Sequence, residues 1–321
     1  MSITQHIDEV TKIPDSHMCA TCPAPRSVKI EISPRCNYRC GFCALRTREH
    51  QPKHDMDYAL FQRITAEMYR AGVKEIGLFY LGESTMNPEL LIACLRWVKA
   101  LGFEYVFLTC NASLADQALV NELMCAGLDS LKWSVNAADA EQFEEVMGVS
   151  AKLFERAKAN IKAAWFIREW EEARGRTSTR LYASSIRYDG AQQERMQAFL
   201  TEHVLPYVDE HYWLPLYSMG SFATAREEEL GYRPIAGNQG RLGALRDPLP
   251  CWSAFTEGHV TADGYLSACC FDAKSTWTMG DLTKQSFMDA WNSPEFVALR
   301  EAHLRKDVRG TVCEECVAYK G

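Results

Sequence analysis

From residue 27 to residue 217, apolar and polar positions recur with two alternating periods. "SVKIEIS" (27–33) reads as a strand, and Leu60, Phe61, Ile64 and Met68 then fall on one face of a helix. "EIGLFYL" (75–81) is the next strand. Behind it, Pro88 stands at a first helical turn, with Leu91, Cys94, Leu95 and Val98 on one face. "YVFLT" (105–109), "LKWSV" (131–135), "RLYASSI" (180–186) and "YWLPLY" (212–217) continue the series. Six strands separated by helices predict a parallel sheet with right-handed crossovers. Six units fall short of the eight that close a full barrel, so the expected fold is α/β, an open, partial (β/α)6 TIM-like barrel. Its functional face is expected at the C-terminal ends of the strands.

After Ser218 the texture changes. "GYRPIAGNQGRLGALRDPLP" (231–250) is rich in Gly, Pro and Arg and reads as a long connection. Its Arg233, Asn238 and Arg241 offer a grip on an anionic or polyhydroxyl group, or else simply a solvated link. Beyond it, "HVTADGYLSAC" reads as a hairpin turning at Asp-Gly, and "SFMDAWNSPEFVALREAHL" as a helical segment broken near Pro294. The expected division is an N-terminal extension (1–26), a barrel core (27–217), a linker (218–250) and a small cysteine-bearing domain (251–321). "REWEEARGR" (168–176) reads as a solvated helix end and loop.

Composition narrows the function. A chain of 321 residues with 47% hydrophobic content can bury a sizeable core. Its formal charge of -7, without a Lys/Arg-rich run, leaves no electrostatic footprint for nucleic acid. No window approaches a membrane span and the start "MSITQHIDEV" lacks a secretory pattern, so the expectation is a cytoplasmic protein away from membranes. In that reducing compartment, 13 cysteines read as metal ligands, reactive thiols or core residues rather than as disulfides. Cys94 and Cys125 fall on apolar helix faces and are expected in the core.

"PRCNYRCGFCALR" (34–46) carries Cys36, Cys40 and Cys43 just past the first strand. Structural zinc normally takes four Cys or His ligands in pairs, which three cysteines in this spacing do not supply. A 4Fe-4S cluster held by three thiolates instead leaves one iron open to a small molecule.

This spacing, with Phe42 before the last cysteine, resembles the signature of the radical SAM superfamily. The resemblance implies that the open iron binds the amino and carboxylate groups of S-adenosylmethionine. It further implies a 5'-deoxyadenosyl radical that abstracts hydrogen from substrate, and a flavodoxin or ferredoxin type electron donor. "YLGEST" (80–85) resembles the family's Gly-Gly-Glu-Pro, matching at Gly82 and Glu83 and departing at Leu81 and Ser84. "LTCNASL" (108–114) resembles its Thr-x-Asn-Gly-x-Leu turn, with Ala112 in place of Gly. Phe42, Gly82, Glu83, Ser84, Asn111, Ser134, Ser185 and Arg187 are thereby implied as cofactor-binding residues. Gly82 and Asn111 also read as plain turn residues, and Ser134, Ser185 and Arg187 as ordinary strand-end polar groups.

Cys251, Cys269, Cys313 and Cys316 bring four thiolates together from distant segments. By spacing alone they suit structural zinc or a cluster. The tail resembles the shortened auxiliary-cluster domain called twitch, related to SPASM, with Gly264 and Cys269 matching a Gly-x4-Cys step. That implies one fully ligated auxiliary 4Fe-4S cluster, for electron transfer or support. Cys270 is an alternative ligand, a buried thiol or a hydrogen donor. Cys19 and Cys22, a further Cys-x2-Cys, read as metal ligands shared with a partner chain or as free thiols covering the barrel bottom.

The superfamily fixes radical generation but not substrate. With only about twenty-six residues before the first strand, a peptide-recognition domain is not expected. The first reading is oxidation, epimerisation or rearrangement of a small polar substrate of sugar, cyclitol or nucleotide-sugar type. Candidate catalytic residues are Arg187, Tyr188 and Cys110, with Asp189 and Glu83 as further bases. The alternatives are radical modification of a ribosomal peptide, an iron-sulfur electron carrier without turnover, and a zinc-stabilised binding protein.

Overall fold

The computed structural model describes residues 2–43, 45, 54–188, 190–217, 235–272 and 277–316. Helices begin and end where side chains meet their orphan backbone groups. Helix α1 (Ile3–Val10) carries a reciprocal Ser2/Gln5 capping box. In α2 (Tyr58–Ala71), the Asp57 carboxylate accepts the Leu60 amide at 2.7 Å, and Gly72 closes the helix at φ 101. In α3 (Pro88–Leu101), Asn87 caps, Pro88 fills the first position and Gly102 ends the last turn. Helices α4 (Gln117–Cys125), α5 (Ala140–Met147), α6 (Lys152–Glu172) and α7 (Gly190–His203) complete the crossovers.

Between them β1 (Ser27–Ile30), β2 (Glu75–Gly77), β3 (Tyr105–Cys110), β4 (Ser130–Ser134), β5 (Arg180–Ile186) and β6 (Glu210–Leu214) pair in parallel, in that order. The first two are shorter than the hydrophobic runs predict. The Leu78 carbonyl accepts the Ser84 hydroxyl at 2.6 Å, which turns the chain out of the ladder. β6 stops before Pro215, which brings no amide to continue it.

The tail does not form a detached body. After the short helix α8 (Ser253–Thr256), β7 (Glu257–Val260) pairs in parallel with β1. β8 (Tyr265–Ser267) and β9 (Thr278–Asp281) then add antiparallel strands, giving one nine-stranded sheet. The hairpin turns at Asp263-Gly264, where Gly264 sits at φ 84. Helices α9 (Phe287–Trp291) and α10 (Pro294–Leu304) follow, broken where Pro294 predicts.

Side chains alternate across the strands. Ser27 and Lys29, Tyr105, Phe107 and Thr109, Ser130 and Lys132, and Tyr182 and Tyr212 line a central cavity of about 230 Å³. α1 lies across the strand starts. The Ile3 amide donates to Glu210 Oε2 at 2.7 Å, and His6 Nε2 is 3.2 Å from Glu75 Oε2.

Three expectations are corrected here. Residues 235–250 are not a free link: the Arg241 guanidinium holds the Asp8 carboxylate at 3.0 and 2.6 Å and so fastens this segment to α1. Arg241 therefore has its anion already; Arg233 lies outside the described residues. Within "REWEEARGR", Arg168 and Glu171 are buried, because Arg168 Nη1 reaches both Asp209 oxygens at 3.0 Å and Glu171 pairs with Arg176. Cys125, last residue of α4, is exposed rather than core, whereas Cys94 is fully buried. Among the described residues, no helix is long and apolar enough to cross a membrane.

Inside the sheet, Glu257 sits between Lys29 Nζ and His259 Nε2, each at 2.8 Å. Burial pushes its carboxyl upward, but the Lys29 charge and His259 outweigh this and hold it at about 2, below its ordinary 4.5. A depressed folded-state value contributes stability above pH 4.5 that is lost as the pH falls toward 2. Urea unfolding across that window is expected to show this acid limb, and Glu257→Gln to flatten it; an unchanged slope would count against the pairing.

Candidate cluster and cofactor site

The cysteine loop leaves β1 at the C-terminal edge of the sheet. It is anchored by its backbone: the Arg39 amide donates to the Met147 carbonyl at 2.9 Å and the Gly41 amide to Val146 at 2.7 Å. The loop thus receives the last carbonyls of α5. Gly148 ends that helix at φ 63, and an added Cβ there would stand 3.0 Å from the Arg39 carbonyl oxygen. On the other side, Asn37 Nδ2 donates to Ser113 Oγ at 2.9 Å and the Tyr38 hydroxyl to the Asn111 carbonyl at 3.3 Å. Phe42 packs against the core, half-buried.

Three thiols fill this loop, none of them in a disulfide. Burial pushes the Cys36 thiol up to about 12, and the Glu83 carboxylate and Cys43 add to that. Such a set becomes thiolate only around a cationic centre, which a cluster provides. The donor set fits three-point ligation of that group. Among the described residues, no three Cys, His, Asp or Glu side chains converge tightly enough for a single metal ion.

The loop after β2 is tied on every side. An added Cβ at Gly82 would stand 2.0 Å from the Ser33 carbonyl oxygen and 2.7 Å from the Pro34 carbonyl carbon. Glu83, 4% exposed, accepts from the Thr85 amide and hydroxyl through Oε1 and from the Asn111 amide at 2.8 Å through Oε2. Burial raises its carboxyl, and those donors work against the rise. Glu83 is therefore engaged by its own chain and positions the loop. Ser84 is likewise spent on Leu78. Asn111 organises the third loop, donating to Asn37 Oδ1 and accepting the Ser113 amide and hydroxyl. Ala112 occupies the left-handed region at φ 67, where the family pattern has Gly. That conformation costs a residue with a Cβ about 1–2 kcal/mol. Ala112→Gly is expected to raise stability by about 0.5–1 kcal/mol in thermal or urea unfolding; a loss would show the strain to be absent.

The strand-end candidates divide. Ser134 borders a cavity with Tyr38, Asn111 and Asn136. Ser185 is buried on the opposite face, its hydroxyl 3.0 Å from His211 Nε2. The register places Ser184, not Ser185, beside Ser134 and Tyr212. Arg187 is exposed, and the Tyr188 hydroxyl donates to the Asn136 carbonyl at 3.3 Å. Cys110 is buried on the face that Val106 and Leu108 share, opposite Tyr105, Phe107 and Thr109. Asp189 lies outside the described residues.

The second cysteine set does assemble. Cys251, Cys269, Cys313 and Cys316 line one small cavity walled by Trp277, Leu299 and Val312. Burial, then the Cys251, Cys269 and Cys316 thiols, drive the Cys313 thiol upward, the state a shared metal centre would relieve. These residues fit a four-thiolate group. His303 shares the wall and accepts the Cys251 amide at 3.2 Å through Nδ1. Cys270 lines the central cavity with Lys29, Tyr217 and Phe271, while its thiol stays within hydrogen-bonding reach of the Cys269 thiol.

Sequence reasoning missed the residue that joins the two sites. Glu31, 1% exposed, accepts the Gly82 amide at 3.1 Å through Oε1 and the Ala262 amide at 3.0 Å through Oε2. Tyr80 adds a second tie, its hydroxyl donating to the Cys269 carbonyl at 2.8 Å. The signal was an acidic residue in the polar alternation Ser27, Lys29, Glu31, Ser33 of the first strand run.

A family model described as "Radical SAM superfamily" matches residues 30–164, and one described as "Iron-sulfur cluster-binding domain" matches 251–317. The probable GTP 3',8-cyclase of Saccharolobus solfataricus is 30% identical over 139 residues, 43% of this chain and 42% of that protein. The PqqA peptide cyclase of Methylobacterium nodulans is 30% identical over 129 residues, 40% and 33% of the two chains. The matches thus span less than half the length of these curated relatives. Among solved structures, Streptococcus suis SuiB bound to precursor peptide SuiA aligns with a TM-score of 0.65 at 15% identity, covering 94% of this chain and 71% of that one. BtrN in complex with AdoMet and 2-DOIA aligns at 0.53 and 14% identity, covering 87% and 86%. These structural likenesses concern the fold. With its cysteine loop beyond the first strand of an unclosed parallel barrel and a second cysteine set in the tail, the chain belongs to the radical SAM superfamily and carries a C-terminal SPASM-like iron-sulfur domain.

Proposed function

We propose that the chain abstracts a hydrogen atom from a small polar substrate, using a 4Fe-4S cluster on Cys36, Cys40 and Cys43 together with S-adenosylmethionine. When bound, that pair supplies a 5'-deoxyadenosyl radical. The observation that carries the reading is the cavity of about 230 Å³ lying inside the strands whose C-terminal edge bears the cysteine loop. Its floor is shut by α1 and its walls present ammonium and hydroxyl groups from Lys29, Lys132, Tyr105, Ser130 and Tyr212. Lys132 Nζ lies 2.8 Å from the Tyr212 hydroxyl, a pair able to orient a substrate hydroxyl. A cavity of this size, apolar over most of its lining with a few polar groups among Phe107, Leu214 and Trp252, supports a small molecule bearing a few hydroxyl groups over an extended peptide. Gly82 to Ser84 and Asn111, in the loops that follow β2 and β3, and Ser134 and Ser184, near the ends of β4 and β5, are assigned to the cofactor.

Cys251, Cys269, Cys313 and Cys316 are assigned to one auxiliary cluster. Fully ligated, it serves electron transfer or support rather than substrate binding. Cys269→Ala is expected to remove about four irons per chain from the reconstituted protein. Cys270→Ala is expected to remove none; equal losses would overturn the division of the two.

Anaerobic reconstitution with dithionite and S-adenosylmethionine tests the whole reading. It predicts 5'-deoxyadenosine, formed faster with a polyhydroxylated small molecule than with any peptide. An intact cluster without 5'-deoxyadenosine would leave only a carrier. The peptide cyclase among the relatives keeps peptide modification as the competing outcome, to be scored in the same assay.

A further inference from the structure

Cys19 and Cys22 belong to neither cysteine set. Both are free thiols, in the segment that joins α1 to β1. Cys22 is 4% exposed, whereas Cys19 is half-buried. The inner thiol folds back over the outer residue: Cys22 Sγ lies 2.9 Å from the Cys19 carbonyl oxygen and 3.3 Å from that of His17. Burial pushes the Cys22 thiol up to about 11, with Arg300 opposing the rise. The segment is held against α9 and α10. The Cys22 amide donates to Asn292 Oδ1 at 2.9 Å, Asn292 Nδ2 returns a bond to the Cys22 carbonyl at 3.0 Å, and Trp291 Nε1 donates to Pro23 at 2.8 Å.

Arg300 supplies the second, independent observation. Its side chain is fully buried between the rings of Trp291 and Phe296, 4.3 and 4.2 Å from their centroids. It donates to the Ala254 and Trp291 carbonyls, to Asn292 Oδ1 and, at 3.1 Å, to the carbonyl of Ala20 inside the Cys-x2-Cys turn. Among the described residues, no carboxylate forms an ion pair with it. A buried guanidinium lacking a carboxylate is costly, and its charge opposes the rise that burial imposes on the neighbouring Cys22 thiol. A Cys-x2-Cys pair beside a fixed cation is the arrangement in which thiols become nucleophilic.

We propose that Cys19 and Cys22 form a dithiol that exchanges with low-molecular-weight disulfides, Cys19 attacking and Cys22 resolving. The Cys19 thiolate attacks one sulfur of the disulfide, forming a mixed disulfide and releasing one thiolate. Cys22 gives its proton to solvent and attacks the Cys19 sulfur, closing the Cys19–Cys22 bond and expelling the second thiolate. The two electrons leave on the exchanged disulfide, which is reduced to two thiols.

Tryptic cleavage yields residues 13–26, which contain these two cysteines and no others. The anaerobically purified, cluster-loaded full chain is incubated with glutathione disulfide, alkylated and digested. The proposal expects that peptide two hydrogens lighter and closed to alkylation. Cys22→Ser is expected to trap one glutathione on Cys19, and Cys19→Ser to react at least tenfold more slowly at Cys22. Two freely alkylated thiols in the wild-type peptide would overturn the proposal without recourse to either variant. Equal adduct rates in the two variants would overturn the assignment of roles.

Discussion

Replacing Cys36, Cys40 and Cys43 together with alanine is expected to abolish 5'-deoxyadenosine formation, at least a thousandfold below the parent under anaerobic reconstitution. The loop that carries them is held by backbone amides to the last carbonyls of α5 and by the Asn37 and Tyr38 side chains, so its path does not depend on the thiols. The fold should therefore survive, with the same far-ultraviolet circular dichroism. Iron should fall from about eight to about four per chain, the remainder belonging to Cys251, Cys269, Cys313 and Cys316. Product at the parental rate would remove this loop from the chemistry. Loss of all the iron would show instead that the two cysteine sets cannot be loaded separately.

Gly82→Ala is expected to have the largest effect of any glycine-to-alanine change among the described residues. The added carbon would meet the Ser33 carbonyl oxygen at 2.0 Å and the Pro34 backbone at 2.7 and 2.8 Å, and backbone atoms cannot swing aside as a flexible side chain can. Overpacking commonly costs about 1–3 kcal/mol, and here the obstacle is rigid, so about 3 kcal/mol or more is expected. The displaced segment runs from Ser33 into the cysteine loop and carries Glu83 with it. Unfolding midpoints would drop, and retention of the three-cysteine cluster would weaken in the folded fraction. An unaltered midpoint would mean that the second loop is free to retreat.

Much of this architecture was written in local pattern. Hydrophobic periodicity found all six core strands and the buried faces of α2 and α3, because each of these elements buries one face and its period records that burial. The cysteine spacings marked both candidate sites for the same reason of chemistry. What was lost concerned direction and distant partners. Strand alternation means that adjacent residues take opposite faces, so Ser185 meets His211 while its neighbour Ser184 lies in register with Ser134 and Tyr212. The adjacent Cys269 and Cys270 are likewise divided between two cavities, which no spacing can announce. Arg241 and Arg168 looked solvated because their carboxylate partners, Asp8 and Asp209, come from other parts of the chain. Helix α1, too short to be persuasive on its own, matters through the strand starts it covers.

The pairing of β1 with β7 has a consequence for how the protein is made. Ile30 is aligned with Val260, so one flank of the first strand waits for a partner that the ribosome delivers more than two hundred residues later. At roughly 5–20 residues per second, that interval lasts on the order of 10–50 s. Throughout it, the nascent chain carries an apolar, half-laddered strand beside a reactive cysteine loop, and both become sheltered only when the tail emerges.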